Sequence, residues 1–154
     1  MPTEPAPARG LFARILVPTD GSDYAMAAGK LAIGLARTHH SRLAFLYVVD
    51  KVVLNELSRF GGKSEEQARR ELEETGRRAL SYLEQSAVGW GIPVQTLMRE
   101  GTPHLEIVSV AKSMGADLIV IGQVGLRGPR RLLIGSVAER VIEYAECPVL
   151  VAKR

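Results

Sequence analysis

Three glycines and a serine between positions 122 and 136 have the types and spacing that suit phosphate binding. Gly122, Gly125 and Gly135-Ser136 follow an apolar run at the spacing G-x-x-G-x9-G-S. Glycine lacks a Cβ, so its backbone can come close to a ligand. A helix that begins near Ser136 would offer free amides and a favourable dipole to an anion. Arginines that could contact phosphate oxygens stand inside the segment, at Arg127, Arg130 and Arg131.

Each of these residues also has a purely structural interpretation. Gly122 and Gly125 could be turn glycines, and the arginines could be solvated or could meet an acidic partner. The sequence SVAE at 136–139 matches a capping box, which predicts Ser136 as the N-cap of the last helix. Capping and phosphate binding are compatible roles. Asp20 could simply cap the helix that follows it.

Other kinds of site find less support. The Rossmann pattern G-x-G-x-x-G and the P-loop pattern are absent, and no serine stands in a nucleophile elbow. His39 and His40 are adjacent, so on a helix they would point about 100° apart and make a poor metal pair. We therefore expect no catalytic side chain and no resident metal site. A net charge of +3 is too small to indicate a nucleic acid partner.

Five apolar runs must position the glycine segment. Several are nearly continuous Val, Ile and Leu, which is typical of strands covered on both faces of a parallel sheet. We predict an α/β fold, an open doubly wound five-stranded parallel sheet with helices on both faces. Ligands of such sheets bind beyond the carboxyl ends of the strands, and the glycine segment follows the fourth strand directly. The predicted strands are 13–18, 42–49, 93–99, 117–122 and 148–153.

The segments between the strands carry helix signals. Alanines and leucines recur at three- and four-residue steps after Ser22, and Ser64 opens a long helix with a capping box. Thr102-Pro103 opens another helix, which Gly115 can end. Only 50–63 looks like a long loop. The long helix carries i,i+4 charge pairs that predict a solvated face, at Glu65–Arg69, Glu66–Arg70, Glu73–Arg77 and Glu74–Arg78.

Length and composition indicate one domain. The chain has 154 residues, of which 46% are hydrophobic and 24% charged, as in ordinary globular domains. We expect 1–12 to be a disordered leader and 13–154 to form a single domain. No run approaches the roughly 20 apolar residues that span a membrane, and the start does not resemble a signal peptide. We therefore expect a cytoplasmic protein that does not contact a membrane.

From about Arg14 to Lys153 the chain resembles the ATP-binding branch of the universal stress protein family. Besides the glycine spacing, the resemblance rests on segments in the family's order: ILVPTDGS, YVVD, EGTPHLEIVSVA and CPVLV. It implies a Rossmann-like, adenine nucleotide alpha hydrolase-like fold that binds ATP, with Mg²⁺ neutralising the phosphates. It also implies a homodimer that pairs through the C-terminal strand.

The resemblance also implies a role for individual residues. Pro18, Thr19 and Asp20 would border the base and ribose, with Asp20 accepting from a ribose hydroxyl. Val48 would meet adenine through its backbone. Glycines would let the backbone approach the ribose and phosphates, and the start of the last helix would hold the β- and γ-phosphates. This phosphate side comprises Gly122, Gly125, Gly135, Ser136 and Val137, to which the loop position adds Arg127.

The function expected from these residues is that of an ATP-binding regulatory protein of the stress response. Its contacts with an unknown protein partner would change with nucleotide occupancy. One alternative is a slow ATPase or autophosphorylating enzyme, in which Gln123 orients water and an arginine stabilises charge. A second alternative is an interaction protein that keeps the fold and binds no nucleotide. A DNA-binding role would rest on the arginines alone.

Overall fold

The apolar runs of the sequence form the centre of the molecule. A computed structural model describes residues 10–126 and 133–154. Its strands lie parallel in one sheet, in the spatial order third, second, first, fourth, fifth. The predicted α/β fold is therefore confirmed. The strands are β1 (Arg14–Pro18), β2 (Arg42–Asp50), β3 (Val94–Gly101), β4 (Leu118–Gly122) and β5 (Val149–Ala152).

Helices cover both faces of the sheet, as predicted. They are α1 (Asp23–His39), α2 (Lys51–Phe60), α3 (Glu65–Val88), α4 (Pro103–Met114) and α5 (Ser136–Tyr144). Two of them, α1 and α3, pack on one face around Phe45 and Leu83. The other face is covered by α4 and α5, which pack around Leu46 and Val141. The central strands β1 and β4 are buried on both faces, which explains their uninterrupted apolar sequence.

The loop predicted at 50–63 is wrong, because Lys51–Phe60 forms α2. Asp50 is its N-cap, and the Asp50 carboxylate accepts a hydrogen bond from the Val52 amide at 2.9 Å. Leu54 is the one buried residue of this helix. The sequence does carry a helical pattern here, since Val53, Leu54 and Leu57 recur at three- and four-residue steps. The prediction overlooked it because the segment is only ten residues long and contains Val and Asn, which are weak helix formers.

The predicted ends of α3 and α4 are as the sequence indicates. Ser64 and Gln67 form a reciprocal capping box at α3, and Pro103 occupies the first turn of α4, which ends at left-handed Gly115. Three of the predicted α3 ion pairs form. Glu74 pairs with Arg77, which precedes the predicted partner Arg78 by one residue.

The predicted leader lies mostly outside the described residues, which begin at Gly10. Phe12 packs on the core beneath α1 and α3, with its ring edge-on to His39 at 5.5 Å between centroids. In the part of the chain that the structure describes, none of the helices is long and apolar enough to cross a membrane.

Candidate functional site

A cavity of about 630 Å³ opens at the carboxyl edge of the sheet. It lies where the strand order reverses, with β1 and β2 on one side and β4 on the other, which is where sheets of this kind hold ligands. Its lining is mainly apolar. Arg127, Arg130 and Arg131 lie outside the described residues. The cavity brings together the other predicted site residues, namely Pro18, Thr19, Asp20, Val48, Gly122, Gly125, Gly135, Ser136 and Val137.

Val48 presents a free stretch of backbone at one end of the cavity. β1 pairs with β2 only as far as Leu46, whose carbonyl accepts from the Thr19 amide at 2.8 Å. Alternate residues of a strand point their backbone groups to the same side. The N–H and C=O of Val48 therefore face the space beyond the end of β1, where they can pair with a planar ring that carries one donor and one acceptor.

Asp20 joins the end of β1 to the glycine segment. One oxygen of its carboxylate accepts from the Ser22 amide at 2.9 Å, and the other accepts from the Leu126 amide at 2.9 Å. The cap of α1 is Ser22, whose hydroxyl accepts from the Ala25 amide. The alternative in which Asp20 caps this helix is therefore wrong.

Close contacts explain two of the three glycines of the segment. None of them has a positive φ, so the backbone angles alone do not require glycine. A Cβ on Gly122 would lie 2.8 Å from the Tyr24 carbonyl carbon, and one on Gly125 would lie 2.6 Å from a carboxylate oxygen of Asp20. Gly122 thus lets β4 approach the first turn of α1, and Gly125 lets the loop lie against Asp20.

The start of α5 differs from the predicted capping box by one residue. Gly135 is the N-cap, and Ser136 is the first helical residue and is exposed. The predicted N-cap role of Ser136 is therefore wrong. Because a glycine cap has no side chain, no side-chain hydrogen bond caps the first amides of this helix. The first amides of α5 are left available beside the cavity, where the helix dipole favours an anion.

Gln123 closes the base of the glycine segment. Its amide donates to the Ala152 carbonyl at 2.9 Å, and its own carbonyl accepts from the Gly135 amide at 2.7 Å. Its side-chain Nε2 donates to the Leu133 carbonyl. Gln123 is not among the described residues that line the cavity, so its side chain acts on the loop.

The prediction missed part of the cavity wall. Tyr47 is buried, and its ring lies so close to Gly76 that a Cβ there would be 2.5 Å from the ring carbon Cδ1. Burial raises the pKa of Tyr47, and the nearby carboxylates of Asp20 and Asp50 raise it further. Some of the missed residues lie at or just after the ends of β2 and β3, and that place at the carboxyl edge of the sheet could have indicated them. The residues missed include Tyr47, Asp50, Val53, Leu72, Pro103 and Ile107.

Within residues 10–126 and 133–154 no group of three or more His, Cys, Asp or Glu side chains could hold a metal ion. The described part of the cavity contains backbone amides, the carboxylates of Asp20 and Asp50, and an apolar wall. This combination suits a ligand with a flat ring at one end and an anionic group at the other.

Comparison with known proteins finds relatives that match along most of the chain. Universal stress protein MJ0531 of Methanocaldococcus jannaschii is 44% identical over 94% of this chain and 84% of its own length. The structure of MJ0577 from the same organism superposes with a TM-score of 0.82 at 30% identity, covering 94% of this chain and 97% of that one. The universal stress protein of Archaeoglobus fulgidus, solved in complex with dAMP, superposes with a TM-score of 0.62 at 26% identity, covering 93% and 99%.

The model of the universal stress protein family matches residues 11–153, which is nearly the whole of the chain. It matches across the sheet, the helices on both faces and the glycine segment. The chain therefore belongs to the universal stress protein family.

Proposed function

We propose that the chain binds ATP in the cavity and acts as a nucleotide-dependent regulatory protein. The observation that carries this proposal is that one cavity contains both the unpaired backbone of Val48 and the start of α5, where no side chain caps the first amides. The volume of about 630 Å³ is typical of small-molecule sites. The related Archaeoglobus fulgidus protein was solved with dAMP, which supports an adenine nucleotide as the class of ligand.

In the proposed complex the adenine pairs with the Val48 backbone and the ribose lies near Asp20. The phosphates lie against Gly125 and the amides of Ser136 and Val137, where a negative charge is favoured. Mg²⁺ would enter with the nucleotide, held by phosphate oxygens and water, as is usual for this ion.

Binding without rapid turnover fits the residues best. The side chain of Gln123, the candidate for orienting a hydrolytic water, donates to the Leu133 carbonyl at the base of the loop. ATP hydrolysis measured on wild type and Gln123→Ala tests the enzyme alternative. Turnover well above background that disappears in the variant, while ATP affinity is kept, would favour an enzyme.

Calorimetric titration with Mg-ATP tests the proposed site through Gly125→Val. The valine places its Cβ 2.6 Å from a carboxylate oxygen of Asp20 and adds bulk at a residue that lines the cavity, so we expect at least a tenfold loss of affinity. Gly34→Val is the matched control, because a Cβ at Gly34 meets no atom within 4 Å. Wild-type affinity in a folded Gly125→Val variant would remove the loop from the site.

The nucleotide-free alternative has its own test. Mass spectrometry of gently purified protein would detect adenine nucleotide carried through purification if the cavity binds it tightly. A protein without carried-over nucleotide that also gives no heat with millimolar Mg-ATP would be an interaction protein that kept only the fold.

We also propose a homodimer that forms through β5. Among residues 10–126 and 133–154 this strand is an edge of the sheet and pairs only with β4, and Leu150 at its middle is 37% exposed. Unpaired apolar edges invite pairing with another chain. A second copy that adds its own β5 would satisfy this edge.

A further inference from the structure

A second cavity, of about 420 Å³, lies at the opposite edge of the sheet from the proposed nucleotide site. It is formed by the amino ends of β1, β2 and β3 together with the last turn of α4. In the part of the chain that the structure describes, no residue lines both cavities. The described lining consists of Arg14, Arg42, Leu43, Ala44, Pro93, Val94, Gln95, Ser113 and Met114.

Two arginines stand side by side in this cavity. Arg14 and Arg42 are register partners on the neighbouring strands β1 and β2, which lie about 4.8 Å apart in a sheet. Both line the cavity, so their side chains share one face. Like charges directly opposite each other on a sheet are destabilising. An anion bound between the two guanidinium groups would therefore relieve their repulsion.

The protein groups nearby leave most of this positive charge unpaired. Arg14 Nη1 donates to the Met114 carbonyl at 3.0 Å, at the end of α4. The Asp117 carboxylate accepts from the backbone amides of Ala13 and Arg14, at 2.8 and 3.0 Å. In the ranges 10–126 and 133–154, no acceptor lies within hydrogen-bonding distance of the exposed Arg42 guanidinium.

The remaining polar side chains of the cavity add donors. Gln95 and Ser113 line it, and in the described ranges their side chains have no hydrogen-bond partner. No aspartate or glutamate is part of the described lining. Two guanidinium groups with an amide and a hydroxyl match the oxygens of a phosphoryl group, which arginine can bind through two parallel hydrogen bonds.

We propose that this cavity binds the phosphoryl group of a small molecule, with Arg42 and Arg14 as its main contacts. Ser113 and Gln95 donate to the remaining oxygens. The site is separate from the proposed ATP site, since the two cavities lie at opposite edges of the sheet. It therefore gives the molecule a second anion site that can be occupied with or without nucleotide.

Nuclear magnetic resonance titration of the ¹⁵N-labelled protein with inorganic pyrophosphate tests this proposal. We expect saturable shifts of the Arg42, Gln95 and Ser113 amide signals at millimolar pyrophosphate or below. Arg42→Gln should weaken this binding about tenfold or more, because it removes a charge-assisted contact. The fold should not suffer, since the exposed Arg42 side chain has no partner among the described residues.

Two controls separate this site from the proposed nucleotide site and from general charge effects. Arg70→Gln removes an exposed arginine whose partner is Glu66 on α3, and it should leave the affinity unchanged. Ser136→Asp alters the start of α5 and should also leave the Arg42, Gln95 and Ser113 shifts unchanged. Shifts confined to Ser136 and Val137, equal affinity in Arg42→Gln, or an equal loss in Arg70→Gln would each overturn the proposal.

Discussion

Ser136 shows how a shift of one residue changes what a position can do. The capping-box pattern predicts its hydroxyl as a partner for the amides of α5, but Gly135 occupies the cap position. Glycine is only a few tenths of a kcal/mol worse than serine as an N-cap. The shift thus costs little stability and leaves both the amides and the Ser136 hydroxyl available to a ligand.

Substitutions of Ser136 should separate stability from ligand binding. Ser136→Ala should barely change the ligand-free melting temperature, because no cap hydrogen bond is lost. It should weaken ATP binding about tenfold, since a hydrogen bond to a charged group contributes about 1.5–3 kcal/mol. Ser136→Asp suits the helix dipole but repels phosphates, so ATP binding should collapse in a stable protein.

Thermal melting with and without Mg-ATP, together with calorimetric titration, measures both effects of the Ser136 variants. Wild-type ATP affinity in Ser136→Asp would show that the phosphates lie elsewhere.

Gly76 controls the position of Tyr47 at the cavity wall. In mid-helix, glycine to alanine normally stabilises a protein by up to about 1 kcal/mol. In Gly76→Ala the new Cβ meets the Tyr47 ring, so we expect destabilisation of about 1–3 kcal/mol and weaker ATP binding as the ring moves. Urea unfolding and calorimetry measure the two effects.

Gly34→Ala on α1 is the matched control for Gly76→Ala, since its Cβ meets no atom within 4 Å, and it should stabilise the protein. If both alanine variants are equally stabilised and bind ATP normally, the contact between Gly76 and Tyr47 limits neither property.

Among the secondary-structure elements, α2 has residues in the cavity wall and apolar residues exposed to solvent. Its N-cap Asp50 and its residue Val53 line the cavity, while Val52 and Phe60 are among its exposed apolar residues. A helix with one buried residue, Leu54, depends on its cap more than a well-packed helix does.

The cap of α2 gives a testable difference between two substitutions of one residue. Asp50→Ala removes the acceptor for the Val52 amide and should cost about 1 kcal/mol, with faster hydrogen exchange along α2. Asp50→Asn keeps an N-cap of equal quality and should retain the protection. Equal protection in the two variants would mean that packing of Leu54 alone holds the helix.

At the scale of the whole molecule, the proposed dimer is tested at the exposed position of β5. Val149 and Val151 pack partly into the α4 and α5 core, so lysine there would also destabilise the monomer. Leu150→Lys is the sharper variant, because Leu150 is outside that core and partly exposed. We expect light scattering to show a wild-type dimer at micromolar concentration and a folded monomer for Leu150→Lys.

Val88→Lys is the control for the β5 variant, since Val88 is 58% exposed on α3, which packs against β2 and β3 on the other side of the sheet, and this variant should remain dimeric. A wild-type protein that is monomeric at micromolar concentration would contradict the proposed assembly.

The sequence predicted the sheet well because buried parallel strands are continuous apolar runs. It also predicted which residues converge, because the carboxyl ends of β1, β2 and β4 must meet at one edge. It did not predict Tyr47 and Leu72 as cavity residues, since their place depends on how α3 crosses the sheet. The predicted N-cap of α5 was wrong because both Gly135 and Ser136 can cap a helix, and only packing selects between them.

The hydrogen bonds of Gln123 have a consequence for how this molecule can diverge. Gln123 holds Gly135 and Leu133 beside the end of β4, and Asp20 holds Leu126, so Leu126 and Leu133 are both fixed to the sheet. Each doubling of the chain length between two fixed points costs only about 0.6 kcal/mol of closure entropy. Insertions between Leu126 and Leu133 should therefore be tolerated, and new recognition segments could be added there beside a constant cavity.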